Sequence, residues 1–175
     1  RVSTEGVGEL TMLLPAHKAR RQASSTLETV SYGEKKMGHT YADIELISAD
    51  DLALHRRGFL PEEEIKRMRV TALVDSGAYM LVVTEHIKQQ LDLPVLGETT
   101  ALLADESEVR AEIVGPVEIR FENRATTVRA LMLPGSAEPL LGVIPMEDMD
   151  VIIDPKQQRL IVNPENPNIP LVYVK

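Results

Sequence analysis

Residues 70–78 of this 175-residue chain read Val-Thr-Ala-Leu-Val-Asp-Ser-Gly-Ala, and this stretch most constrains the fold. Its first five residues are β-branched, apolar or small, which predicts a buried strand. Asp75, Ser76 and Gly77 then form a tripeptide that is typical of a sharp turn. Because the strand delivers a carboxylate to the edge of a core, Asp75 is a candidate catalytic acid or base.

The same tripeptide is also common in ordinary turns, where Asp75 would only accept hydrogen bonds from the backbone. Gly77 lets another part of the backbone approach closely, and Ala78 keeps the adjoining surface small. Two features favour a site over a plain turn. The four residues before Asp75 are all apolar or small, so the carboxylate is delivered from a core. The second half of the chain also carries Leu-Leu-Gly at residues 140–142, which is a second apolar pair followed by Gly.

Together, Leu-Val-Asp-Ser-Gly-Ala at residues 73–78 and Leu-Leu-Gly at 140–142 resemble the retropepsin-like aspartic proteases, in their small prokaryotic form. In that family an Asp-Thr/Ser-Gly-Ala loop follows an apolar pair, and an apolar-apolar-Gly strand packs beneath the loop. The resemblance extends over about residues 40–164. It implies a mostly β fold, namely a retropepsin-like closed β-barrel (the acid protease fold) with one or two short helices and one half-site per chain.

The resemblance also implies the site residues. Asp75 is the catalytic carboxylate, the hydroxyl of Ser76 braces the two active-site loops, and Gly77 belongs to the same catalytic loop. The residues implied to bind substrate are Ala78 in the cleft and a hairpin tip that acts as a flap, namely Ala104, Asp105, Glu106 and Ser107. This tip is acidic and has no Gly, whereas viral members of the family have a Gly-rich tip.

The chemistry of such a protease needs two carboxylates, and this chain has one Asp-Ser-Gly. Asp154 also ends an apolar run, but Pro155 follows it without a hydroxyl or a Gly, so we predict a hairpin turn there. The second carboxylate must then come from another copy of Asp75 across a two-fold axis. The implied function is an aspartic endopeptidase that acts as a homodimer on a peptide or protein substrate without a cofactor.

Two other hypotheses remain open. The chain could be a retropepsin-fold dimerisation or peptide-binding module with weak or no catalysis, and the acidic hairpin tip favours this alternative. It could also be a generic all-β domain in which Asp75 merely caps a turn. Cleavage of peptides separates the first hypothesis from both alternatives.

Composition excludes several classes of function. The formal net charge of −8 makes nucleic acid an unexpected partner. With no Cys there is no disulfide, thiolate nucleophile or Cys-ligated zinc, and the four His residues lack metal-ligand spacing, so we expect no metal. No apolar run is long enough to span a membrane. The apolar residues 10–14 are too few for a signal-peptide core, so we expect a cytoplasmic protein.

The chain divides into three predicted parts. Residues 1–36 hold six Lys/Arg, four Glu and few core-forming residues, which predicts a flexible N-terminal extension. Residues 37–164 form the predicted retropepsin-like aspartic protease domain. Residues 165–175 follow Pro164, contain two further prolines and are predicted to be an irregular C-terminal tail.

Periodicity and turn residues predict short elements within the domain. Helices are predicted from residue 50 to Gly58, from Pro61 to the basic residues Lys66, Arg67 and Arg69, over 85–91 with Thr84 as N-cap, and over 145–149. Strands are predicted over 41–47, 70–74, 79–83, 99–103, 109–114, 117–121, 126–133, 140–142, 151–153 and 159–162.

Overall fold

The computed structural model describes residues 38–172 and residue 174, so the predicted extension over 1–36 lies outside the described residues. The strands are β1 (Thr40–Ser48), β2 (Arg67–Val74), β3 (Leu81–Val83), β4 (Val95–Leu102), β5 (Glu108–Phe121), β6 (Arg124–Met132), β7 (Leu140–Leu141), β8 (Val151–Asp154) and β9 (Arg159–Val162). The helices are α1 (Ala49–Arg56), α2 (Glu85–Gln90) and α3 (Val143–Asp148), and Glu62–Glu64 forms a single 3₁₀ turn.

The strands form one sheet that closes on itself. Their order is β4-β5-β6-β3-β7-β2-β1-β9-β8, and β5 also pairs with β1. Six strands therefore make a closed ring in the order β1-β2-β7-β3-β6-β5, with β4 and the β8–β9 hairpin attached outside it. The prediction of a mostly β, closed fold is confirmed, and the described residues contain three short helices rather than one or two.

The long strand β5 makes this closure possible. Its first half pairs with β4 on one side and β6 on the other, and its second half pairs with β6 and β1. The register shifts between Val114 and Val117, where the sequence predicts that the strand over 109–114 ends and the strand over 117–121 begins. The structure instead has a bulge at Gly115-Pro116 within one continuous strand.

The core lies inside the ring. The sequence over 41–47 alternates, with apolar residues at 42, 44 and 46, which predicts that these three share the buried face of β1. Ala42, Ile44 and Leu46 are buried on the inner face, and Leu141 and Ile119 meet them from other strands. Fully burying each large aliphatic side chain contributes about 1.5–3 kcal/mol relative to leaving it in water. The fold therefore holds together through Leu, Ile, Val and Met, as the scarcity of aromatic residues requires.

A second, smaller hydrophobic cluster explains why one residue of β1 departs from the alternation of buried and exposed side chains. Ile47 falls on the polar face of β1 by sequence, yet it is fully buried against Leu52 and Ile65. The segment between β1 and β2 folds back over this end of the strand and covers it. Ser48 starts α1 by accepting a hydrogen bond from the Asp51 N–H at 3.3 Å.

The helix predicted to begin at Pro61 is wrong beyond its first turn. Only the 3₁₀ turn forms, and Arg67 and Arg69 belong to β2, where they pair with Ile47 and Glu45 of β1. The charges suited a helix end, but extending the β1–β2 ladder satisfies more backbone groups than a short helix can. In contrast, the predicted N-cap at Thr84 is confirmed, since its hydroxyl accepts from the Ile87 N–H.

The α-helices of the described residues contain six to eight residues each, and none of them could cross a membrane.

Candidate active site

The structure places Asp75 directly after the last residue of β2. Val74 is buried, Asp75 is half-buried, and the residues that follow form a loop over 75–80 before β3 begins at Leu81. The Asp75 N–H donates to the Leu141 carbonyl at 3.1 Å, which ties the start of the loop to the neighbouring strand β7. The sequence predicts strand from residue 79, but residues 79 and 80 remain in the loop.

The Asp75 loop (residues 75–80) begins with a tight turn around its own carboxylate. Asp75 Oδ1 accepts the Gly77 N–H at 2.8 Å, and the Asp75 carbonyl accepts the Ala78 N–H at 3.1 Å. A Cβ atom at residue 77 would lie 3.1 Å from Asp75 Oδ1, so only Gly leaves the carboxylate uncrowded. The turn therefore uses one carboxylate oxygen of Asp75, as it would if Asp75 were only a structural cap.

Gly142 lies against the other side of the Asp75 loop. The carbonyls of Ala78 and Tyr79 accept the N–H groups of Val143 and Ile144, at 2.8 and 3.1 Å. A Cβ atom on Gly142 would lie 2.3 Å from the Met80 carbonyl oxygen, which real contacts do not allow. The Asp-Ser-Gly-Ala loop and Leu-Leu-Gly at 140–142 lie more than sixty residues apart in sequence, yet they are in direct backbone contact. Helix α3 begins at this contact.

A cavity of about 470 Å³ opens beside Asp75 and Ser76. This volume lies within the range of about 300–1,000 Å³ that is usual for ligand sites. Three segments distant in sequence form its wall: the start of β1, the end of β2 and the β8–β9 turn. Its lining residues are Gly38, His39, Thr40, Leu73, Val74, Asp75, Ser76, Ile153, Pro155 and Gln158.

Most of these lining residues carry no signal in the sequence. His39 and Gln158 are isolated polar residues in the chain and become neighbours of Asp75 only through strand pairing. Tyr41 of β1 pairs with Leu73 of β2 on one side and with Arg159 of β9 on the other. The β8–β9 turn therefore joins the site because β9 lies parallel to β1.

Asp154 makes the turn that the sequence predicts for it. Its Oδ1 accepts the N–H groups of Lys156 and Gln157, at 2.9 and 3.1 Å. Its neighbours Ile153 and Pro155 line the cavity, whereas Asp154 does not. Asp154 therefore stabilises the turn that forms part of the cavity wall, and its carboxylate does not line the cavity.

The predicted flap is the tip of the β4–β5 hairpin, and all of its residues are exposed: Ala104, Asp105, Glu106 and Ser107. Asp105 Oδ1 accepts the hydroxyl and the N–H of Ser107, at 2.6 and 3.1 Å. These two bonds hold the pKa of Asp105 below its usual value, the hydroxyl bond contributing more. The tip residues do not line the cavity beside Asp75, so the structure does not bring the two predicted parts of the site together.

The other loop residues differ in exposure. Ser76 and Gly77 are exposed and Ala78 is half-buried. Across residues 38–172 and residue 174, no three His, Asp or Glu side chains gather closely enough to hold a metal ion.

Comparison with known proteins gave similarity in structure only. No protein-family model matches the chain, and no curated protein matches it by sequence. The structure is similar to EIAV protease complexed with the inhibitor HBY-793, with a TM-score of 0.47, 15% identity and coverage of 67% of this chain and 93% of that one. It is also similar to a retropepsin-like aspartic protease from Rickettsia conorii, with a TM-score of 0.41, 14% identity and coverage of 69% and 78%. A third similar structure is the retroviral protease-like domain of Ddi1 from Leishmania major, with a TM-score of 0.43, 14% identity and coverage of 71% and 90%. Sequence identities of 14–15% are too low to transfer the role of any residue from these proteins to this chain.

Proposed function

We propose that this protein is an aspartic endopeptidase that acts as a homodimer, with Asp75 of each protomer at the two-fold axis. The observation that carries the proposal is the Asp75 loop itself. A carboxylate stands at the end of β2, which is half-buried rather than buried as the sequence predicts, beside a cavity and on a loop held by Gly142 and the first N–H groups of α3. Such rigid support is what a catalytic group needs.

The reaction follows from two carboxylates that share one proton. The ionised carboxylate takes a proton from water, and the water oxygen attacks the carbonyl carbon of the peptide bond. The protonated carboxyl of the other copy gives its proton to the carbonyl oxygen as negative charge develops there. As this intermediate collapses, the second carboxylate takes a proton back from one of its two hydroxyls, the C–N bond breaks, and the amine leaves with the proton that the first carboxylate had taken from water. The products are a carboxylic acid and an amine, and the pair again holds one proton.

The requirement for a second copy follows from the carboxylates that are available. Asp154 has its Oδ1 occupied by two N–H groups of its own turn and lies outside the cavity lining. Asp75 therefore needs the partner's Asp75 to complete a pair. Substrate is expected to be an extended peptide held by main-chain hydrogen bonds, with the β4–β5 hairpin tip (104–107) above it. β4 is an edge strand of the sheet, so one side of it is available for such pairing.

The alternative is a peptide-binding or dimerisation module with weak or no catalysis. The acidic tip favours it, because Asp105 and Glu106 would repel the acidic surface of a second protomer or an acidic substrate on closing. Glu106 also has a positive φ of 65°, a conformation that Gly adopts more easily. A tip built in this way closes over a peptide less readily than one made of Gly.

Cleavage of a peptide library tests the proposal. We expect hydrolysis that a statine-type analogue inhibits, with a specific rate that falls on dilution as dimers dissociate. Activity that persists at an undiminished specific rate in a sample shown by sedimentation to be monomeric would exclude a dyad made by two chains. Binding of peptides without cleavage would instead favour the alternative module.

Ser76→Ala is expected to weaken the dimer more than the fold of each protomer. Ser76 is exposed in the single chain, so its hydroxyl is available to bond across the axis. Removing it leaves the bonding partners unsatisfied, at about 1–3 kcal/mol, or roughly a 5- to 150-fold rise in the dimer dissociation constant. Sedimentation measures that constant. Ser76→Thr is the matched control and should dimerise normally, because the hydroxyl is kept; an unchanged constant for Ser76→Ala would refute the bracing role.

A further inference from the structure

Asp150 binds the C-terminal part of the described chain. The residue follows α3, and its carboxylate accepts hydrogen bonds from three donors. Oδ1 accepts Asn163 Nδ2 at 2.8 Å, and Oδ2 accepts Asn166 Nδ2 at 2.8 Å and the Leu171 N–H at 2.9 Å. Both carboxylate oxygens are thus committed to residues 163–171, which we call the strap. The Asp150 carbonyl adds a fourth bond by accepting the Asn163 N–H at 3.1 Å.

A buried arginine also binds the same segment. Arg124 begins β6, is 2% exposed and donates from Nη2 to the Asn166 carbonyl. The preceding Asn123 donates to the Pro167 carbonyl at 2.9 Å. Arg124 Nε and Nη1 have no hydrogen-bond acceptor among the described residues, and the guanidinium is close enough to Asp150 to interact electrostatically with its carboxylate. The strap is therefore held by Asp150, Asn123 and Arg124, and a charged group among them is costly to leave unpaired when buried.

This cluster is linked to the Asp75 loop by one short helix. The first two N–H groups of α3 hold the carbonyls of Ala78 and Tyr79, and Asp150 stands two residues beyond its end. Six helical residues span only about 9 Å, so α3 acts as one rigid connection. Asp148, its last residue, is also fixed, because it accepts the Thr126 hydroxyl. A displacement of the C-terminal end of α3, next to Asp150, is therefore expected to shift the N-terminal end that contacts the Asp75 loop.

We propose that Asp150 is a positioning residue for the Asp75 loop, and that the strap is part of the support of the site. The role in catalysis rests on the proposed function, whereas the mechanical link between strap and loop does not. Asp150 touches neither the cavity nor Asp75. It acts by tying α3 to a segment that overlaps the irregular C-terminal tail predicted over 165–175.

Low pH should release the strap. The Leu171 N–H, then the Asn163 and Asn166 amides and the charge of Arg124, hold the pKa of Asp150 below its usual value of 3.8. A lowered pKa stabilises the fold above the unfolded value, and that contribution is lost as the pH falls through the folded one. Hydrogen exchange of residues 163–172 should therefore accelerate as the pH falls below 3.8, beyond the intrinsic pH effect. Asp150→Asn should lose this pH dependence.

The direct test is Asp150→Asn in the full chain, followed by hydrogen–deuterium exchange at neutral pH. Peptides that cover the strap and peptides that cover 140–146 should both exchange at least tenfold faster than in the parent. With a cleaved peptide as substrate, kcat should fall at least tenfold while KM changes less than threefold, because the loop is displaced and the binding surface is not removed.

Asp92→Asn is the matched control. Asp92 stands after α2 as Asp150 stands after α3, with φ of 50° against 52°, but it binds no strap. Its exchange and kinetics should equal those of the parent. A second pair of variants, Leu171→Pro and its control Val172→Pro, tests the proposal if Asp150→Asn fails to fold. Leu171→Pro removes the N–H that Asp150 accepts, and Val172→Pro imposes a similar backbone restriction one residue later without removing that bond. The first variant should loosen both regions and the second neither.

The outcomes are separable. Faster exchange in the strap and in 140–146 supports the link even if the parent cleaves no peptide, in which case the proposed function fails alone. A loosened strap with unchanged exchange in 140–146 and unchanged kcat shows a simple tail contact and overturns the proposal. A strap that stays protected in both Asp150→Asn and Leu171→Pro shows that Asp150 does not anchor it and overturns the proposal as well.

Discussion

Asp75→Asn is expected to abolish peptide hydrolysis and to leave the Asp75 loop in place. The Asn side-chain oxygen can still accept the Gly77 N–H, and the bond from the Ala78 N–H to the residue 75 carbonyl is a backbone bond. The shape of the turn is therefore kept. An amide cannot take a proton from water, so the rate should fall to that of the buffer blank.

The same substitution should not weaken the dimer at pH 7. Two carboxylates held at an axis repel each other unless one stays protonated, and two amides remove that cost. We expect dimers at least as stable as the parent, by about 1 kcal/mol, the order of one pKa unit of differential interaction. The gain should shrink at low pH, where both carboxyls of the parent are protonated. Sedimentation at the two pH values measures this difference.

Asp154→Asn is the matched control for Asp75→Asn. Each aspartate accepts, through Oδ1, the N–H of the residue two positions later in its own turn, at 2.9 Å for Asp154 and 2.8 Å for Asp75. If carboxylates in such turns were only caps, the two variants would behave alike. Full activity together with a clearly less stable fold in Asp75→Asn would identify Asp75 as a structural cap and end the protease proposal.

Gly142→Ala is expected to cause a large loss of stability, because Gly142 has the shortest Cβ contacts of the described glycines. The new Cβ would lie 2.3 Å from the Met80 carbonyl oxygen and 2.8 Å from both the Ala78 carbonyl oxygen and the Met80 nitrogen. All three are backbone atoms, so no side chain can rotate to make room. The φ of −86° at Gly142 is accessible to any residue, so the effect is steric and not conformational.

We expect Gly142→Ala to lower the free energy of unfolding by about 3 kcal/mol or more, at the upper end of what overpacking costs. Urea denaturation with an unchanged m-value measures it. Activity should be lost with the displaced loop. Gly97→Ala in β4 is the control, because its Cβ would meet nothing within 4 Å, and it should change stability by no more than about 0.5 kcal/mol. A melting transition of Gly142→Ala like that of the parent would contradict the close packing of loop and glycine.

Features that arise within a few residues can be predicted from local sequence. The apolar run before Asp75, the cap at Thr84 and the turn at Asp154 each depend on local periodicity or on a side chain that bonds a backbone group two or three positions away. The alternation of β1 likewise reports its buried face directly. Such signals need no knowledge of distant partners.

The pairing of strands and of distant segments could not be predicted from local sequence. Arg67 and Arg69 lie in β2 because β1 offers a ladder to extend, and Ile47 is buried because α1 folds over it. His39 and the β8–β9 turn reach the cavity through the pairing of β1 with β2 and β9, and Asp150 meets residues 163–171 through a fold-back that no local pattern encodes. Backbone pairing is nearly indifferent to side-chain identity, so the choice among possible partners depends on the ring as a whole and on the core it encloses.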